Sequence, residues 1–308
     1  MILTVTLNAA LDITYRLPRL RPHGTNRITE VSERPGGKGL NVARVLASLG
    51  HRTVATGFAG GGTGEALRAL LADTDVTDAL VPVGGTTRRT VAVVDEATGD
   101  TTQLNEPGPT VSPAEWDAFL GTYRELLDGA RAVALCGSLP PGVPVDVYAR
   151  LTRAARTAGV PVLLDTSGEP LRRGLAARPD LAKPNADELA ALTGSTEPLR
   201  AARDARRRGA HAVAASLGPD GMLAVTADGA WQAAPPQRIA GNPTGAGDSA
   251  VAGLLSGLVE DLPWPDRLSR AVALSAATVR APAAGEFDAA TYEELLPRVV
   301  VTDHPSAA

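Results

Sequence analysis

Short apolar runs that stop at Gly, Asp, Asn or Ser recur along the chain, and most are followed by stretches whose apolar positions fall at helical spacing. The runs predict strands at Ile2–Leu7, Thr53–Phe58, Ala132–Cys136, Pro161–Asp165 and Ala212–Leu217. Helices are expected over Leu40–Leu49, Gly64–Leu71, Pro113–Leu127, Val145–Ala158, Asp187–Thr193, Leu199–Arg208, Ala246–Val259 and Trp264–Arg280. Such alternation is that of an α/β protein with a mainly parallel, doubly wound sheet and helices on both faces. Ligands of these sheets bind at the carboxyl ends of the strands.

Two stretches break the alternation. Asp12–Arg34 alternates polar and apolar positions without a helix period, and Arg88–Leu104 reads as a hairpin turning at Ala97–Asp100. They are either ordinary edge hairpins or a small sheet covering one end of the core. The last residues, Asp303–Ala308, read as a frayed tail.

Composition narrows the classes. With 308 residues, 44% of them hydrophobic, and a formal charge of -4, the chain fits a soluble protein of one large or two modest domains. Basic and acidic residues are interspersed, so there is no cationic stripe for nucleic acid. The opening MILTVTLNAALD lacks a basic leader region and reads as a strand, and no apolar run is long enough to span a bilayer. Cys136 is the only cysteine, which excludes an internal disulfide and suits a reducing cytoplasm. Of 30 basic residues only Lys38 and Lys183 are lysines, and both lie in turns with chemical potential.

The strongest such turn is Gly241-Asn242-Pro243-Thr244-Gly245-Ala246-Gly247-Asp248-Ser249, which enters an apolar helix. Small residues at a helix start leave backbone N–H groups open to an anion, and the aligned peptide dipoles favour negative charge there. Asp248 then sits in the first turn, either as an ordinary acidic starter or as a general base. A second glycine turn, Gly36-Gly37-Lys38-Gly39-Leu40-Asn41, fails the Walker pattern because no Ser or Thr follows Lys38. It is a flexible turn with one solvated lysine, or a place where an ammonium meets a phosphate. In Lys183-Pro184-Asn185-Ala186-Asp187-Glu188, a capping box fully accounts for Asn185 and Glu188, yet the carboxylate can also hold water around Mg²⁺. The turns after Cys136 and at Ser216-Leu217-Gly218-Pro219-Asp220-Gly221 fall at the same carboxyl-end rim. The four histidines show no metal-ligand spacing, no nucleophile elbow appears, and the dinucleotide glycine motif is missing.

Taken in order, TVTLNAALD, GGKGLNVARVLASLG, GSLPPGVP, KPNADEL, SLGPDG and GAGDS resemble the PfkB sugar kinases of the ribokinase-like superfamily. The opening motif, Tyr15 and GGKGLNVA are most similar to the subgroup acting on sugar phosphates, which includes 1-phosphofructokinase and tagatose-6-phosphate kinase. The resemblance implies a ribokinase-like doubly wound core of residues 1–11, 35–86 and 108–308. Residues 12–34 and 87–107 would form an inserted β lid through which a homodimer assembles. It implies ATP and Mg²⁺ as cofactors and a sugar phosphate as the other partner; charge distribution and hydropathy already speak against nucleic acid and membrane.

Carried over residue by residue, the resemblance makes Asp248 the catalytic base and Gly245, Ala246 and Gly247 the anion hole. Asp12, Gly37 and Asn41 match sugar-binding positions. Lys38, Arg88 and Ser138 match the region holding the acceptor's own phosphate, with Arg27 reaching it from a partner's lid. Lys183, Asn185, Glu188, Ser216, Gly218 and Gly221 match the nucleotide side, Glu188 holding Mg²⁺ through water. The implied reaction is ATP-dependent phosphorylation of fructose 1-phosphate to fructose 1,6-bisphosphate. Tagatose 6-phosphate, fructose 6-phosphate and an unphosphorylated sugar are alternative acceptors, and a catalytically silent sugar-phosphate sensor is a further alternative. Three departures bear on the acceptor: Ala9 where the subgroup has Pro, Thr90 where it has Asn, and Asn242-Pro243-Thr244 where many relatives carry Asp-Thr.

Overall fold

Periodicity of two and periodicity of 3.6 divide the chain much as the sequence pattern predicts. The computed structural model describes residues 1–304. Its strands are β1 (Ile2–Thr6), β2 (Ala10–Leu17), β3 (Glu30–Gly36), β4 (Thr53–Ala59), β5 (Val76–Asp78), β6 (Val81–Pro82), β7 (Arg88–Asp95), β8 (Thr101–Asn105), β9 (Ala132–Cys136), β10 (Val162–Asp165), β11 (Leu181–Ala182), β12 (Ala212–Ser216), β13 (Met222–Val225), β14 (Ala230–Ala234) and β15 (Val300–His304). The α-helices are α1 (Lys38–Ser48), α2 (Gly61–Ala72), α3 (Pro113–Leu127), α4 (Val147–Thr157), α5 (Gly168–Ala176), α6 (Ala186–Thr193), α7 (Pro198–Arg207), α8 (Ala246–Val259), α9 (Trp264–Thr278) and α10 (Ala289–Leu295).

The main sheet runs β15-β14-β13-β12-β11-β10-β9-β1-β4-β5, with β6 attached to β4. It is parallel from β5 to β12 and antiparallel from β12 to β15. Strand β1 sends the chain one way to β4, and β9 sends it the other way to β10. The β1/β9 boundary is therefore the topological switch point, and the crevice at its carboxyl end is where a ligand belongs.

Alternation along the strands builds the two faces. Leu3, Val5, Val133 and Leu135 join the layer that includes Phe119 and Tyr123 of α3 and Leu151 of α4. Ile2, Ala132, Ala134 and Cys136 point the other way, into the layer with α1, α8 and α9. Helices α8 and α9 touch so closely that a Cβ on Gly253 would lie 2.7 Å from Ala271 Cα. Thr278 of α9 also donates to Ser249 Oγ of α8 at 2.6 Å, anchoring the helix next to Asp248.

The two irregular stretches pair as a four-stranded sheet, β3-β2-β7-β8, in which β2 and β7 are parallel. Register places Asp12 opposite Thr90 and Arg34, so these side chains share one face. On this sheet or beside it, Val31, Leu104 and Ile28 are exposed.

The structure adds elements the pattern does not predict. Helices α5 and α10 and the antiparallel run β13–β15 extend the fold beyond simple alternation. The tail expectation is corrected at its start: Asp303 pairs with Trp231, and His304 with Ala230, on the edge of the sheet. Residues 305–308 lie outside the described residues. No helix among the described residues is long and apolar enough to cross a membrane.

Candidate active site

The carboxyl ends of β1, β9, β10, β11 and β12 open onto two adjoining clefts. One, of about 660 Å³, lies under the small sheet and is lined by Asp12, Gly37, Lys38, Asn41, Arg88 and Ser138, together with Glu188, Gly245 and Asp248. The other, of about 630 Å³, is lined by Asn185, Ser216, Gly218 and Gly221, together with Ala246 and Gly247. The Gly245–Asp248 turn is shared between them, so a group bound in one cleft meets a group bound in the other at this turn.

Backbone conformation explains the glycines at two key turns. Gly245 has φ +85°, and a Cβ there would lie 2.8 Å from Ala284 Cα. Gly37 has φ +99°, and its Cβ would lie 2.7 Å from Thr6 Cγ2. An L side chain would be strained at either position whatever its chemistry. No side chain caps α8, which leaves its N-terminus accessible to an anion from either cleft.

Asp248 is buried in the first turn of α8 and accepts a hydrogen bond from Asn41 Nδ2 at 2.8 Å. Burial pushes its pKa up to about 6, Asp165 adding to the rise while Lys38, Asn41 and Lys183 oppose it. It is thus ionised near neutral pH yet basic enough to take a proton. Asp12 is held by the Thr90 hydroxyl, and burial raises its pKa against the pull of Thr90 and Arg88. A Cβ on Gly36 would fall on the Asp12 carboxylate, so a larger residue there would displace that carboxylate from the cleft.

The rest of the first cleft is cross-braced. Asn8 Nδ2 donates to Ser138 Oγ at 3.1 Å and to the Pro107 carbonyl at 3.2 Å. Arg88 donates through Nε to the Asn8 carbonyl at 3.1 Å and through Nη1 to the Glu106 carbonyl at 3.3 Å. These bonds engage backbone oxygens; the carboxylates of Asp12 and Glu106 act on the guanidinium only from beyond ion-pair distance, which leaves N–H groups for an anion. Gln103 of β8 reaches Thr244 at 3.4 Å, and Arg34 of β3 meets Glu286 at 3.1 Å, so the small sheet touches the core on two sides of the cleft.

Asn185 and Glu188 form the expected reciprocal capping box, each bond 2.8 Å long. Only Oε2 of Glu188 is engaged there. Among the described residues no group of three His, Cys, Asp or Glu side chains is placed to hold a metal ion. A single carboxylate lining an open cleft still fits Mg²⁺, which takes oxygen ligands and keeps most of its water.

Two sequence candidates fall outside the clefts. Arg27 is exposed between β2 and β3 and lines neither. Lys183 is 4% exposed, lines neither, and pairs with Asp165 Oδ1 at 3.3 Å. The same carboxylate binds Lys38, Nζ to Oδ2, at 3.2 Å. Sequence reasoning passed over Asp165 as merely the end of a strand; an acidic residue closing a buried strand at the ligand rim was the available signal. Arg34 and Asn8, which line the first cleft, were also missed. Cys136 lines the first cleft, but burial, with Asp165 and Asp248 beside it, holds its thiol protonated and excludes a thiolate role.

Comparison with known proteins places the chain in a family. The model of the pfkB family carbohydrate kinases matches residues 5–290. A 1-phosphofructokinase from Rhodobacter capsulatus is 41% identical over 283 residues, covering 89% of this chain and 90% of the relative. Escherichia coli phosphofructokinase-2 in complex with fructose-6-phosphate superposes with a TM-score of 0.87 at 32% identity, covering 96% of this chain and 98% of the other. A Thermotoga maritima protein described as a possible 1-phosphofructokinase reaches 0.91 at 28% identity, covering 99% and 100%.

Proposed function

The chain belongs to the pfkB family of carbohydrate kinases, it is a sugar kinase, and we propose that it phosphorylates fructose 1-phosphate to fructose 1,6-bisphosphate with ATP. The observation that carries this reading is the shared turn: Asp248 faces a cleft containing Lys38 and Arg88, while Ala246 and Gly247 face the neighbouring one. The acceptor sits in the first cleft, its sugar hydroxyls against Asp12, Gly37 and Asn41. Arg88 and Ser138 hold the phosphate it already carries, with Lys38 on the inner wall. ATP occupies the second cleft against Asn185, Ser216, Gly218 and Gly221.

Asp248 takes the proton of the acceptor hydroxyl as that oxygen bonds to the γ-phosphorus. The bond from γ-phosphorus to the β–γ bridging oxygen breaks, and ADP leaves. Charge spread over the equatorial oxygens is met by the Gly245–Gly247 amides, so alignment and electrostatics supply most of the acceleration. Mg²⁺ bound through water at Glu188 would neutralise phosphate charge.

The small sheet, residues 12–34 and 87–107, acts as the lid that excludes water. Its exposed Val31 and Leu104, 56% and 58% accessible, are covered by a second copy of this chain, and Arg27 serves the partner's acceptor site. Light scattering of wild type and of Val31→Asp with Leu104→Asp tests this: a dimer that dissociates is the result sought, and a wild-type monomer ends the idea. A single buried thiol fits a reducing cytoplasm as the working location.

ADP release measured with fructose 1-phosphate, fructose 6-phosphate, tagatose 6-phosphate and free fructose tests the acceptor. Fructose 1-phosphate should give the highest kcat/KM. Fructose 6-phosphate is the second reading, favoured by the likeness to the Escherichia coli complex. Preference for free fructose would overturn both.

A further inference from the structure

One buried carboxylate beside the reacting groups has no role in the scheme above. Asp165, the last residue of β10, is 1% exposed and receives the ammonium groups of both lysines that the chain possesses. Lys38 Nζ lies 3.2 Å from Oδ2 and 3.4 Å from Oδ1; Lys183 Nζ lies 3.3 Å from Oδ1. The two ammoniums are therefore no more than about 7 Å apart, not at opposite ends of the site. Lys38 opens onto the acceptor cleft, its side chain 41% exposed. Lys183 lies beneath the anion turn, where a Cβ on Gly247 would come within 3.7 Å of Nζ.

Two ammoniums this close in a poorly solvated site repel, and a buried one without a counter-charge is strongly disfavoured. Asp165 removes both problems with one group. Resting on the kinase reading, we propose that Asp165 is a positioning residue, gathering Lys38 and Lys183 beside Asp248 so that Lys38 faces the phosphoryl group in transfer and Lys183 adds its charge from beneath the anion turn. Lys38 then serves the moving phosphoryl group, and the acceptor's standing phosphate is left to Arg88 and Ser138. Its charge has a second consequence. The charged and polar groups facing Asp248 are Lys38 and Asn41 from α1, Asp165 from β10, Lys183 after β11 and the neutral Cys136 from β9. Removing the negative charge of Asp165 leaves Asp248 among cations and makes it a weaker base.

Asp165→Asn, Lys38→Met and the double variant test the proposal by steady-state kinetics across pH. Asp165→Asn should lower kcat about 100-fold, the scale of a misplaced reacting group, with KM for the sugar phosphate changed less than about 3-fold. The acid limb of its kcat profile should move to lower pH, which loss of packing alone would not do. The double variant should lose less than the product of the two single losses, because part of the effect of Asp165 runs through Lys38 while its hold on Lys183 remains independent. Additive losses, or a raised KM with kcat intact, would overturn the proposal.

An activity-free readout separates failure of this proposal from failure of the kinase reading. In protein carrying ¹³Cε-labelled lysine, two side-chain signals report Lys38 and Lys183. Lys38 should stay charged well above the usual lysine range in wild type and titrate earlier in Asp165→Asn. If that variant does not fold, the Lys183 signal in Lys38→Met decides. It should shift, since the two share one carboxylate, and an unmoved signal would overturn the proposal even if the wild type proved inactive on every sugar phosphate.

Discussion

Replacing Asp248 with Asn should abolish most activity while stabilising the fold, in a way that depends on pH. Asn preserves the size of the side chain and an oxygen that can accept from Asn41, so the change is mainly one of charge. Burial has raised the Asp248 pKa from 3.8 to about 6. At roughly 1.4 kcal/mol per pH unit, the ionised carboxylate destabilises the native state by about 3 kcal/mol. Between pH 3.8 and about 6 the folded chain binds this proton more tightly than the unfolded chain does. Stability therefore falls as pH rises through that window and is flat above it. The Asn variant lacks the penalty, so its advantage should be full at pH 8 and about half as large at pH 5. With an unfolding entropy of about 2.1 cal/mol/K per residue over 308 residues, the gain at pH 8 corresponds to about 4–5 °C in Tm. Calorimetry at the two pH values, beside ADP-release kinetics, reads both effects. Turnover should fall at least about 100-fold, and wild-type kcat should decline below about pH 6 as Asp248 takes up its proton. Near-normal turnover would refute the general-base role, and a Tm gain equal at both pH values would refute the electrostatic account.

Three other substitutions probe separate parts of the site. Arg88→Ala removes the guanidinium held by the Asn8 and Glu106 carbonyls; KM for a sugar phosphate should rise about 10–100-fold, the worth of a charge-assisted hydrogen bond, with no comparable change for a free sugar. Glu188→Gln keeps an oxygen to accept from the Asn185 N–H, so Tm should hold while the Mg²⁺ concentration for half-maximal rate rises about 10-fold; an unchanged requirement would remove Glu188 from the metal's surroundings. Gly37→Ala, at φ +99° with its Cβ 2.7 Å from Thr6 Cγ2, should lose about 2 kcal/mol of stability, and unchanged urea unfolding would contradict the steric reading of that turn.

Locally encoded features were legible and long-range ones were not. The Asn185–Glu188 capping box is a four-residue event, and its reciprocal bonds could be foreseen from spacing. The glycine turns at Gly37 and Gly245 likewise declare their backbone needs within a few residues, and the alternation in β2 and β7 marked the small sheet. Two-residue β11 has no periodicity to detect, and β15 hides as an edge strand because its accessibility depends on pairing with β14, about 70 residues earlier. The Arg34–Glu286 contact spans 252 positions and Lys38–Asp165 spans 127, separations at which one sequence carries no pairing signal. The lysines show how the two kinds of information combine. Their scarcity singled out Lys38 and Lys183, and the family resemblance set the first on the acceptor side and the second on the nucleotide side. Folding brings both turns to the end of β10, where a carboxylate with no motif around it binds both, and the pair becomes a single electrostatic unit. A compact ammonium fits that shared, buried arrangement better than a planar guanidinium, which demands more room and more acceptors than Asp165 alone can offer.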